Sequence, residues 1–232
     1  MGQFVPDLDK WDYTLPSHFL DSGRPILAVS VAQVMQEADP VDIRLRVNLS
    51  KVYREVKAVD KSLGLFRGYP GQLNRVAYTE WSVAEGYAGN SAAAAVIAAA
   101  AICDLPGVVP PTRDSGRAVS GLSFALRRLN EQYGEKVFLD GALAIAEMGL
   151  RFSSEELTKQ HLIESMMREY GVTISGKSIY VLIEDLTTAV KRVFDFINVE
   201  EMFHGQFKQE VLTSFNGLRS LANLDHRQNI SS

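Results

Sequence analysis

The chain holds one cysteine, Cys103, in 232 residues, so neither an internal disulfide framework nor a cysteine-rich zinc site can be built from it. Charge is not skewed either. Twenty-four Lys and Arg face 28 Asp and Glu, a net −4, which argues against coating nucleic acid through bulk charge. Long apolar runs are missing. The most apolar stretch, Ser91–Cys103 (SAAAAVIAAAAIC), is 13 residues of mostly alanine, short of the roughly 20 needed to cross a bilayer. The start, MGQFVPDLDKW, lacks a basic head, an apolar core and a cleavage site, and Asp7 stands where myristoylation after Gly2 wants a hydroxyl. A cytoplasmic protein with no membrane partner is expected. No H-E-x-x-H, P-loop, G-x-S-x-G or Rossmann glycine pattern occurs, and the four histidines are far apart. No cofactor, metal or catalytic residue is expected. Asp140 and Glu147, seven apart in an apolar helix, are the one acid pair that could share a cleft.

What is present is ordinary for a globular chain: 46% hydrophobic and 22% charged residues, enough for a sizeable core. The predicted fold class is mainly α, a helical bundle, with short strands possible in the N-terminal part. Residues 1–25 read as an irregular arm, and 25–38 could begin as a strand (ILAVSV) and then turn helical, which periodicity alone does not decide. From 48 to 63 the spacing of Leu49, Val52, Tyr53, Val56, Val59 and Leu63 predicts one amphipathic helix, with Arg54, Lys57 and Lys61 on its opposite face. Between Asp42 and Arg75 eight basic residues meet three acidic ones, an excess of five. That stretch is either a solvated helix face or a phosphate-facing patch. Helices are expected at 74–86, 91–103, 119–133, 137–150, 154–170, 176–197 and 199–224. The Pro/Gly-rich DLPGVVPPTRDSG suggests a linker at 104–118 between domains 1–103 and 119–232.

Most of the functional signal lies in FSSEELTKQHLIESMMREYGVTISGKSIYVLIEDL, residues 152–186. Ser153 and Glu156 form a capping box, and Leu162, Met166 and Tyr170 make one apolar stripe. Gly171 suits a helix stop, and Ser175 suits the cap of a second helix burying Ile179, Leu182, Ile183 and Leu186. Two amphipathic helices around a tight Gly-Val-x-Ile turn are what a helix-turn-helix at 153–186 requires. Ser175, Gly176, Lys177, Ser178 and Tyr180 would then lie at the major groove, with Lys159 as a further DNA contact and Arg54, Lys57 and Lys61 on phosphates. A plain helical hairpin within a bundle has the same pattern, and 151–192 carries six basic and six acidic residues.

The run LTKQHLIESMMREYGVTISGKSIYVLIEDL resembles the helix-turn-helix of bacterial DNA-binding proteins. The following AVKRVFDFINVEEMFHGQFKQEVLTSFNGLRSL is similar to the region after that motif in ParB-like proteins of plasmids and integrating conjugative elements. The resemblance covers about the C-terminal third. It implies a sequence-specific regulator or partition factor of a mobile element, acting on double-stranded DNA. A chain of net charge −4 reaches useful affinity by pairing two readers, so a homodimer is expected. Residues 1–118 hold no Gly-Glu-Arg-Arg-type box, so nucleotide binding does not carry over. The alternative is a non-enzymatic helical interaction or assembly subunit.

Overall fold

The computed structural model describes residues 12–67, 69, 73–103, 113–152, 175–198, 202–203 and 206–218. These form ten α-helices and one short 3-10 turn, with no strand among the described residues. The helices are α1 (Leu15–Asp21), α2 (Pro25–Ala38), α3 (Ile43–Glu55), α4 (Val59–Gly64) and α5 (Arg75–Tyr87). They continue with α6 (Ser91–Cys103), α7 (Arg113–Tyr133), α8 (Lys136–Phe152), α9 (Ile179–Val193) and α10 (Phe207–Gly217). A mainly helical bundle is therefore what the chain builds.

Several starts and stops follow from side-chain chemistry. Pro25 opens α2, where its missing N–H is an unpaired donor in any helix. Asp42 and Asn74 cap α3 and α5 by accepting the backbone N–H groups of Arg44 (2.8 Å) and Ala77 (3.0 Å). α5 ends at Gly89, φ +82°, where the Asn90 N–H bonds back to the Glu85 carbonyl at 2.9 Å. The same closure ends α3, but on a lysine. Lys57 takes φ +62°, its N–H donates to the Arg54 carbonyl at 3.0 Å, and the Ala58 N–H reaches the Tyr53 carbonyl at 2.8 Å. The single helix expected over 48–63 is thus two, broken at 56–58.

The N-terminal expectations need two further corrections. ILAVSV is the opening of α2, so no strand forms there: Ala28, Ala32 and Met35 recur at helical spacing and are the positions it buries. Within the expected irregular arm, residues 15–21 are helical and Pro16 sits buried in the first turn. Residues 113–118, expected in the linker, belong to α7.

α6 is the spine. From Ala93 to Ile102 every residue is buried, because small side chains let helices approach on all sides. Most of these residues share one apolar cluster with α7, α8, α9 and α10. Ala93 and Ile97 face a second cluster with Phe66 and Trp81, which joins α3 to α6. A third, smaller cluster packs α1 and α2 on α3. The first cluster crosses the expected boundary at 104–118, since residues of α6 and α7 pack together in it. The crossing of α8 and α9 is close: a Cβ added to Gly141 would stand 2.3 Å from the Ala189 Cβ.

Candidate nucleic-acid interface

α9 is the helix expected to read DNA. Ile179, Leu182, Ile183, Leu186, Ala189, Val190 and Val193 line its buried side, each larger one worth about 1.5–3 kcal/mol on burial. That face seats α9 on α8, with further contacts to α6 and α10. The opposite face leaves Tyr180 54% and Val181 40% exposed, followed by exposed Glu184. Ser175, Gly176, Lys177 and Ser178 lie just before the first turn and are all exposed. Of the residues expected at a groove, these four and Tyr180 are therefore brought together at one helix end. Lys159 and the first helix and turn of the motif, 153–174, lie outside the described residues.

The cap is Ser178, not Ser175. Ser178 is extended, and its hydroxyl accepts the Val181 N–H at 3.5 Å. Ser175 has another role: both its N–H (2.9 Å) and its hydroxyl donate to the Glu147 carboxylate from α8. Arg151, one turn further along α8, pairs with the same carboxylate and donates to the Lys177 carbonyl at 2.7 Å. Glu147 is 1% exposed. Burial pushes its carboxyl up, but the bonds from Ser175 and the Arg151 guanidinium outweigh this and hold it below the usual carboxylate range. The acid that could have faced a cleft is a latch that fixes the backbone ahead of α9. Asp140 pairs with Lys136 at 3.3 Å.

Gly176 is at φ +70°, the left-handed region in which glycine carries no Cβ penalty, and lets the chain turn between the latch and the cap. Lys177 folds back on its own helix. Its Nζ lies 2.7 Å from the Asp185 carboxylate, whose hydrogen bond raises the lysine above its ordinary value. Asp185 is thereby paired with a cation. Glu184 stays exposed.

The basic stretch from 42 to 75 departs from expectation. Arg54 is turned inward: its Nε lies 3.1 Å from Glu80 of α5, and its guanidinium stacks 5.0 Å from the Tyr87 ring centroid. Its place is structural, not on the phosphate-facing surface expected. Arg67 donates three times to Glu85 (Nε at 3.1 Å, Nη2 at 2.8 and 2.9 Å), a fully buried carboxylate that also accepts from Trp81 Nε1 and Asn90. Arg46 donates to the Leu65 and Pro40 carbonyls, and Arg44 forks onto Asp42. Lys57 and Lys61 remain exposed, Lys61 above the Tyr53 ring.

Glu80 and Glu85, missed as functional neighbours of the basic stretch, lie outside its sequence window and reach it through α5. Glu147 was visible as an acid in an apolar helix, and Arg151 four residues on was the signal for its partner. Among the described residues no cluster of His, Cys, Asp or Glu could hold a metal ion, and no helix is long and apolar enough to cross a membrane. No known protein family matches this chain, and neither a curated protein nor a solved structure does.

Proposed function

We propose that the protein is a cytoplasmic, homodimeric double-stranded DNA-binding protein that offers the N-terminal end of α9 to the major groove. The observation that carries this reading is the pinned run from Ser175 to Ser178, exposed together with Tyr180. A buried latch on Glu147 fixes its backbone, the Ser178 cap starts the helix, and the apolar side of α9 is seated in the core. A reader must keep its geometry on binding, and rigid support does that. Gly176 and Ser178 permit close approach, and the Tyr180 phenol can bond a base edge or a phosphate. Helix N-terminal amides favour phosphate oxygens. Lys57 and Lys61 are the exposed cations that can add sequence-independent contacts, and Arg54 takes no part. The helix-turn-helix and weak ParB resemblances support the same assignment, a regulator or maintenance factor of a mobile element.

Fluorescence anisotropy with random duplex DNA at about 50 and about 200 mM salt tests it. Binding that weakens steeply with salt, and weakens further in Tyr180→Ala on a selected site by roughly 1–3 kcal/mol, is the expected result. No binding at the lower salt refutes it. A second reading, a helical assembly subunit, is favoured by a separate observation: α2 turns Ile26, 83% exposed, and Val34, 57% exposed, outward.

A further inference from the structure

One face of α2 has no partner among the described residues. Ile26, Ser30 and Val34 are four residues apart and share a side of the helix, with Leu27 and Glu37 flanking them, and all five are exposed. The buried side of the same helix, Ala28, Ala32 and Met35, already packs on its neighbours. The helix is thus apolar on two sides, and its outer stripe is bracketed by opposite charges, Arg24 at the N-cap and Glu37 in the last turn. Neither Arg24 nor Glu37 has an ion-pair partner among the described residues.

The pattern is self-complementary. At 1.5 Å rise per residue, Arg24 and Glu37 stand about 9 and about 10 Å along the axis on either side of Ser30. Ile26 and Val34 stand about 6 Å on either side of it. We propose that α2 pairs with α2 of a second copy of this chain, antiparallel, about a twofold axis through Ser30. Ile26 then meets Val34 of the second copy, and Arg24 meets its Glu37, each contact made twice as an isologous interface requires. Ser30, the smallest side chain of the stripe, falls where the helices cross and lets them approach. Antiparallel alignment also places the positive end of each helix beside the negative end of the other. This inference gives the homodimer of the proposed function its contact face. It does not depend on DNA recognition, and its test is read without DNA.

The test is sedimentation equilibrium of the full chain from about 1 to about 100 µM, a range suited to an interface of this small size. The wild type is expected to dimerise. Val34→Asp, on a side chain that is in water in the single copy, should leave the circular dichroism melt in place at dilutions where the wild type is monomeric and raise the dimer Kd at least about tenfold. Glu37→Arg should weaken the dimer, and Arg24→Glu combined with Glu37→Arg should restore it, which only the antiparallel register explains. Ser30→Cys should form a disulfide between two copies on mild oxidation, mapped by mass spectrometry to position 30. A wild type that stays monomeric overturns the proposal. So does a dimer indifferent to Val34→Asp, or one that the double charge reversal fails to restore. If Val34→Asp lowers the melt without changing the oligomer, the stripe is covered by this chain itself, and the proposal also fails. DNA binding in the salt titration above is unaffected by any of these outcomes at the level of a single copy.

Discussion

Replacing Gly141 by alanine tests the seating of α9 on α8. The new Cβ would meet the Ala189 Cβ at 2.3 Å, where ordinary contacts lie at 3.4–4 Å, and Ala189 cannot swing away because its Cβ is fixed to the backbone. The helices must part by roughly 1 Å or more, at an overpacking cost near the top of the usual range, about 3 kcal/mol. Alanine in a helix interior recovers about 1 kcal/mol relative to glycine, so the net loss is about 2 kcal/mol. Ala189→Gly alone costs about 1 kcal/mol in propensity and about 0.8 kcal/mol for one buried methyl, again about 2. Independent effects would sum to about 4 kcal/mol. In the double variant the propensities cancel and one methyl replaces the other in the same gap, leaving about 1 kcal/mol or less. The coupling is then about 3 kcal/mol, far above the few tenths seen between sites that do not touch. Urea denaturation of the four proteins, compared at constant m, measures it. Additive losses, or a Gly141→Ala protein as stable as wild type, would refute the packing argument.

Arg54→Ala should destabilise by about 3–5 kcal/mol, since Glu80 is 5% exposed and would be left as a buried acid without its cation; an unchanged urea midpoint would return Arg54 to the surface role. Lys57→Gly should raise stability by about 1 kcal/mol by relieving φ +62°, and a lower midpoint would contradict the helix stop there. Glu147→Gln should cost about 1.5–3 kcal/mol by removing charge from its bonds to Ser175 and Arg151. Its pH dependence has a fixed sign. The Glu147 carboxyl is lowered in the fold, so its contribution is complete above the unfolded carboxylate value and lost as pH falls through the folded one. Glu80 is raised, chiefly by burial, so its contribution is present at lower pH and lost as pH rises through its folded value. Glu147→Gln should therefore flatten the acid limb of stability against pH; a limb of unchanged slope would show that the latch does not titrate with folding.

Where apolar spacing dominates, the fold was legible. The stripe of α9, Ile179, Leu182, Ile183 and Leu186, is the buried face that its spacing predicts, and the alanine run is a buried helix because nothing else tolerates that density of small side chains. Two local features were not legible. Lys57 in the left-handed region hides a helix break, since a lysine gives no signal that glycine would give. The cap of α9 moved three residues, from Ser175 to Ser178, because both serines suit the position and only the buried Glu147 on another helix decides between them. At the candidate site, exposure of Ser175–Ser178 and Tyr180 followed from their place ahead of an amphipathic stripe.

The basic stretch failed for a reason of range. Counting charges over 42–75 treats neighbours in sequence as neighbours in space, yet a buried carboxylate selects its partner from whatever helix packs against it. Glu80 and Glu85 sit on the buried side of α5, where an unpaired charge would cost several kcal/mol. Each therefore needs a cation that can reach inward from a flanking element. Arg54 at the end of α3 and Arg67 after α4 are placed to do so, and arginine's planar fork meets a carboxylate on two edges, as Arg67 does with Glu85. The two lysines Lys57 and Lys61, whose hydrated point charges gain less from burial, stay in water. The same logic bears on the reading end of α9, where Arg151 serves the buried Glu147 while Lys177 meets the half-exposed Asp185. With Arg54, Arg67 and Arg151 bound to buried acids, contact with phosphate at these two places falls to the exposed Lys57 and Lys61 and to the helix-end amides at the start of α9.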